Sequence, residues 1–129
     1  MVVLGFVLVG IAALIHVYVF YLESIAWTSG RARSTFGIAT VQEAEVTRLL
    51  AFNQGFYNLF LAVAIALGVV FAACGAATIA ATLAFTGAGS MVAAGLVLLL
   101  SDRRKARAAL IQLGPPLLGI IALAVGSAS

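Results

Sequence analysis

Apolar residues run along this chain in four long stretches, each separated from the next by a short polar or glycine-containing cluster. A helix needs about 20 apolar residues to cross a hydrocarbon core roughly 30 Å thick. By that measure the pattern predicts membrane-spanning helices over about residues 2–27, 43–71, 76–100 and 106–125. Residues 72–75 are too few for anything but a tight turn, which makes the second and third helices a hairpin. The segment 28–41 contains Ser29-Gly30 and Gly37, residues that break helices, and 101–105 is a short charged turn.

Two further patterns refine this picture. The third stretch carries Thr78, Thr82, Thr86 and Ser90 at a spacing of four, beside Ala76, Ala80, Ala84 and Ala88. Small residues at that spacing let helices approach closely in lipid, and the hydroxyls either bond back to their own helix or line a polar path. The fourth stretch contains Gly114-Pro115-Pro116. Proline removes a backbone donor and crowds the preceding turn, so a kink or break is expected there. The predicted fold is all-α: a single domain over 1–129, an integral-membrane four-helix bundle running up-down-up-down, with a Pro-broken fourth helix.

Composition agrees with lipid as the main solvent. The chain has 129 residues, of which 64% are hydrophobic and 9% charged; a soluble domain carries about 25% charged residues. The net charge of +3 does not indicate nucleic acid. Its basic residues sit in two short clusters with no folded polar face around them. Arg31, Arg33 and Arg48 lie in or beside the first loop, and Arg103, Arg104, Lys105 and Arg107 in or beside the third. Positive residues favour the cytoplasmic side, so loops 28–41 and 101–105 are expected there, with both termini outside a cell inner (plasma) membrane. The first stretch lacks the basic start of a signal peptide and is read as retained. Cys74 is the single cysteine, so neither an intramolecular disulfide nor a cysteine metal site is expected, and no metal is predicted.

Polar residues inside a membrane are costly, which makes them the candidates for function. On the first helix His16, Phe20, Glu23 and Trp27 follow helical spacing on one face. On the second, Arg48, Asn53, Gln54, Tyr57 and Asn58 cluster within three turns, and the fourth carries Gln112. A rise of about 1.5 Å per residue puts these groups at similar depths in the cytoplasmic half. Glu23 and Arg48 are the expected ion pair, and His16 has no charged partner at its own depth. The candidate ligand-binding set is His16, Glu23, Arg48, Asn53, Gln54, Tyr57, Asn58 and Gln112; no catalytic residue is assigned. Mixed donors, acceptors and aromatics suit a small amphipathic or anionic molecule. Three readings remain open: a binding or catalytic pocket, a small transporter or channel, and a membrane scaffold whose polar groups only specify packing. Whether the protein is an enzyme is equally open, and no cofactor is predicted. If it is one, Arg48 would hold the anion while Tyr57 or His16 moves a proton.

The run His16-Val-Tyr-Val-Phe-Tyr-Leu-Glu23 with Trp27-Thr28, then Phe36-Gly37, then Asn53-Gln54-Gly55-Phe56-Tyr57-Asn58, then Gln112 and Pro115, resembles a known pattern. It is similar to the bacterial membrane protein family catalogued as domain of unknown function 1304. That resemblance implies a four-helix membrane protein and carries no established activity. A looser similarity links Arg48 and Asn53 to membrane-associated proteins in eicosanoid and glutathione metabolism. It implies a homo-oligomer, specifically a trimer, with glutathione at subunit interfaces and a glutathione-transferase-like activity; a lipid-like ligand is the other candidate. That family's motif is Asn-x-x-Glu, and here Phe56 stands where the glutamate would be. The bilayer and further copies of the chain are thus the expected partners, with no nucleic acid.

Overall fold

The computed structural model describes residues 1–128, the side chain of Arg104 excepted, so that the arginine counted at the centre of the third loop lies outside the described residues. Every regular element among them is helical. The first long helix, α1 (Val2–Phe20), continues through a wide π turn over Tyr21–Ile25. A short α2 (Gly30–Phe36) precedes α3 (Val41–Ala73), α4 (Ala77–Ser101) and, after a turn of 3-10 helix at Arg103–Lys105, α5 (Ala106–Ser127). Four of these are long and apolar enough to cross a membrane: Val2–Ile25, Val41–Ala73, Ala77–Ser101 and Ala106–Ser127. Helices suit that solvent because they satisfy every interior backbone group within one segment.

The predicted boundaries fall within a few residues of these, and the loop 28–41 differs most. Ser29-Gly30 and Gly37 do not break a helix there; they bound one. The Ser29 hydroxyl accepts from the Ala32 N–H at 3.1 Å, capping the start of α2. Gly37, at φ 71°, takes the left-handed conformation that closes its end. Three residues on, Thr40 caps α3 by accepting from Glu43 N–H, while the Glu43 carboxylate accepts from Ala39 N–H at 3.0 Å. This reciprocal arrangement satisfies one donor in the first turn of α3 and one in the chain leading into it. At the other end Gly75, at φ 79°, makes the turn between α3 and α4.

The helices form a ring in which α1 packs on α3 and α5, and α4 packs on the same two from the far side. The core is built of Val9, Ala12 and Ala13 from α1, Ala62 and Ile65 from α3, Ala84, Ala88 and Met91 from α4, and Leu123 from α5. Alanine dominates because helices in lipid gain contact by close approach and not by hiding apolar bulk from water. Gly119 shows how close: a Cβ there would lie 2.6 Å from Cγ1 of Val9 and 3.0 Å from its backbone nitrogen. The hydroxyls of Thr82 and Ser90 donate to the carbonyls of Thr78 and Thr86, both at 2.8 Å, and both residues are exposed. They therefore line no path through the bundle.

Helix α5 is helical through Gly114-Pro115-Pro116, where the sequence suggested a break. Pro116 is fully buried in the bundle. Packing around a proline holds the chain helical despite the missing donor, as is common in membrane helices.

Candidate functional site

Three polar side chains are buried among the described residues: His16, Glu23 and Asn58. Each is positioned by a distinct local feature. The π turn adds one residue to the α-helical register, so that consecutive Leu22 and Glu23 are both buried against α3. Such turns often occur where a helix re-aims a side chain. On α3, Gly55 faces this turn. A Cβ there would collide with Ser24 Oγ and stand 3.1 Å from both Glu23 Cβ and the Phe20 carbonyl. The close approach lets Ser24 donate to the Phe52 carbonyl at 2.8 Å and brings Asn58 Nδ2 within 2.8 Å of Glu23 Oε2. Asn58 also donates to the Gln54 carbonyl at 3.2 Å, which fixes the amide's orientation.

Glu23 therefore has Asn58 as its partner and not Arg48, the expected one. Arg48 lies on the exposed face of α3 and pairs with Glu45 at 3.4 Å, one helical turn back. The reason is geometric: Glu23 turns into the bundle while Arg48 reaches outward from the amphipathic start of α3. His16 is buried and hydrogen-bonds through Nδ1 to the Ala12 carbonyl at 2.9 Å. A carbonyl only accepts, so Nδ1 carries a proton and is the donor. The similar depths of His16, Asn53 and Gln112 do not become contact. Asn53, Gln54 and Tyr57 are exposed on the outside of α3, and Gln112 is half-buried. The candidate set is thus divided between buried residues (His16, Glu23, Asn58), an exposed face of α3 (Arg48, Asn53, Gln54, Tyr57) and the half-buried Gln112 on α5.

Trp27 is not a free interfacial aromatic. Its Nε1 donates to the Ala44 carbonyl at 3.0 Å and to Thr47 Oγ1 at 3.2 Å, and its ring packs 5.1 Å from that of Phe36. This ties α2 and the start of α3 to the end of α1. Arg33 closes the same corner by donating to the carbonyls of Thr28 and Ala39. Beside it, Phe20, Phe52, Phe56 and Phe60 form a continuous aromatic row, with Phe20 edge-on to Phe56 at 5.1 Å.

A groove of about 400 Å³ opens between these elements, lined by Glu23, Ser24, Ile25, Trp27, Thr28, Glu45, Arg48, Leu49 and Phe52. Sequence reasoning singled out Glu23, Trp27 and Arg48 but missed Ser24, Thr28, Glu45 and Phe52. The signal for Ser24 was Gly55, whose missing side chain marks where two helices touch. A second cleft of about 400 Å³ lies at the opposite end of the bundle, between residues such as Val2, Phe6, Ala72, Ala80, Phe85 and Leu123, and is mostly apolar. No group of three or more His, Cys, Asp or Glu residues suited to a metal occurs among the described residues.

The family model described as Protein of unknown function (DUF1304) matches residues 10–124, and the chain belongs to that family. No curated protein and no solved structure matches the chain.

Proposed function

We propose that this DUF1304 protein binds a small amphipathic molecule in the groove at the charged end of its bundle. One observation carries the proposal: the groove joins a buried carboxyl group, that of Glu23, to an apolar wall of Ile25, Leu49 and Phe52 and a fixed indole. An amphiphile needs that combination, a polar anchor with an apolar flank open to lipid. The buried pair Glu23 and Asn58 lies beside the groove, while the opposite cleft is mostly apolar; a one-ended site accords with this better than a conduit.

A lipid-like ligand suits the groove better than glutathione. Arg48, the anion-holding candidate, is engaged by Glu45, and Phe56 belongs to the aromatic row. Pairing of Gly5 with Leu123, Gly55 with Phe20 and Glu23, Gly68 with Ala80 and Gly95 with Leu113 supports an up-down-up-down order. In a plasma membrane the positive loops 28–41 and 101–105 then face the cytoplasm, with the termini outside. Asn53, Gln54 and Tyr57, on the outer face of α3, gain hydrogen-bond partners if a second copy covers them. Cross-linking through a cysteine placed at Asn53 tests this, and a chain that stays monomeric in lipid discs would exclude it.

Trp27 is the chain's single tryptophan and lines the groove, so its fluorescence reports occupancy. Amphiphiles brominated along the chain should quench it saturably in lipid discs. Quenching that rises only in proportion to probe dissolved in the bilayer would refute the proposal.

A further inference from the structure

The charges around the groove suggest which amphiphile it takes. Its lining includes three ionisable groups: Glu23, Glu45 and Arg48. Glu45 and Arg48 are both well exposed and offset each other at 3.4 Å. Arg33, on the adjoining segment, directs its Nε and Nη1 to backbone carbonyls. That leaves Glu23. It is 8% exposed, and no cation pairs with it among the described residues. Its Oε2 accepts from Asn58, while Oε1 has no donor. Every fully buried side-chain oxygen among the described residues has a partner, so Oε1 meets open space, and the open space lined by Glu23 is the groove.

We infer that the groove selects an amphiphile with a cationic head, an amine or quaternary ammonium, and that Glu23 is its counter-ion. The inference rests on the groove being an amphiphile site and specifies the sign of its head group. A charge held at the membrane edge requires an opposite charge or a full set of donors, and a single amide supplies neither. Trp27 and Phe52 line the groove, and aromatic rings attract a cation held against them. Ile25 and Leu49, 67% and 73% exposed at the rim, leave an apolar exit for the chain.

The test compares three chain-brominated amphiphiles of equal chain length, with trimethylammonium, sulfate and maltoside heads. Each is titrated into the full chain in phosphatidylcholine discs, and Trp27 quenching is normalised to the probe's own partition. The trimethylammonium probe should half-saturate at a concentration about tenfold lower than the sulfate probe. Glu23→Gln should abolish that preference, whereas Glu43→Gln, on α3 but outside the groove lining, should leave it standing. Should Glu23→Gln fail to fold, the ranking in the unmodified chain decides alone. Equal or reversed ranking with saturable quenching overturns the cation inference and leaves the amphiphile site; no saturable quenching by any head group overturns both.

Discussion

Replacing Asn58 by Ala removes the single donor to a carboxyl group that is 8% exposed. Hydrogen bonds between membrane helices average about 0.6 kcal/mol and reach about 1.7. Bonds to charged groups contribute about 1.5–3 kcal/mol. The Asn58–Glu23 bond is short at 2.8 Å, buried, and made to a carboxyl oxygen, which places it at the upper end of the membrane range. Asn58→Ala should therefore destabilise the bundle by about 1.5–2 kcal/mol. Part of that loss is not specific to the bond, because the substitution also empties space between α1 and α3. A double-mutant cycle with Glu23→Ala isolates the shared term. Reversible unfolding in mixed micelles, followed by helical circular dichroism, gives the four stabilities. A coupling energy of at least about 1 kcal/mol is expected. A coupling below about 0.3 kcal/mol would refute the pairing and with it the position assigned to Glu23.

Further outcomes follow from the same geometry and use the same unfolding assay. Gly55→Ala drives a methyl group into Ser24 and should cost about 1–3 kcal/mol, while Gly10→Ala, with nothing within 4 Å of the added carbon, should be close to neutral; equal losses would contradict the close approach of α1 and α3. Arg48→Gln breaks only an exposed pair and should change stability by less than about 0.5 kcal/mol, a larger loss indicating that Arg48 reaches Glu23 after all. Thr40→Ala removes the cap of α3 and should cost about 1 kcal/mol. Trp27→Phe deletes the indole donor to Ala44 and Thr47, at a cost of about 1 kcal/mol, and should loosen the loop between α1 and α3, read as faster amide exchange over residues 28–40.

Much of the fold was legible because lipid imposes a simple rule. Apolar length alone located all four spans, and the family pattern from His16 to Pro115 pointed to the same architecture. The site was legible only in part. Helical spacing placed His16, Phe20, Glu23 and Trp27 on one face of the first span, and depth placed Asn53, Gln54 and Gln112 near His16. Depth, however, does not fix rotation. Gly55 and Asn58 turn inward, and that same rotation carries Asn53 and Tyr57 outward, so the groups expected to converge diverge. The π turn was invisible for a related reason: one extra residue in a turn shifts register without leaving a composition signal, and it decides where Glu23 points. Ser29 and Gly37 carry an ambiguous signal, because the same residue types that interrupt a helix also bound one.

The most direct measurement is an experimental structure in lipid discs with a chain-brominated trimethylammonium amphiphile, locating bromine and head group. The head should lie beside Glu23, within contact of Trp27, with the chain leaving over Ile25 and Leu49. An amphiphile found instead in the apolar cleft between Val2, Phe6 and Leu123, or spread over the bundle's outer surface with the groove empty, would contradict the assignment.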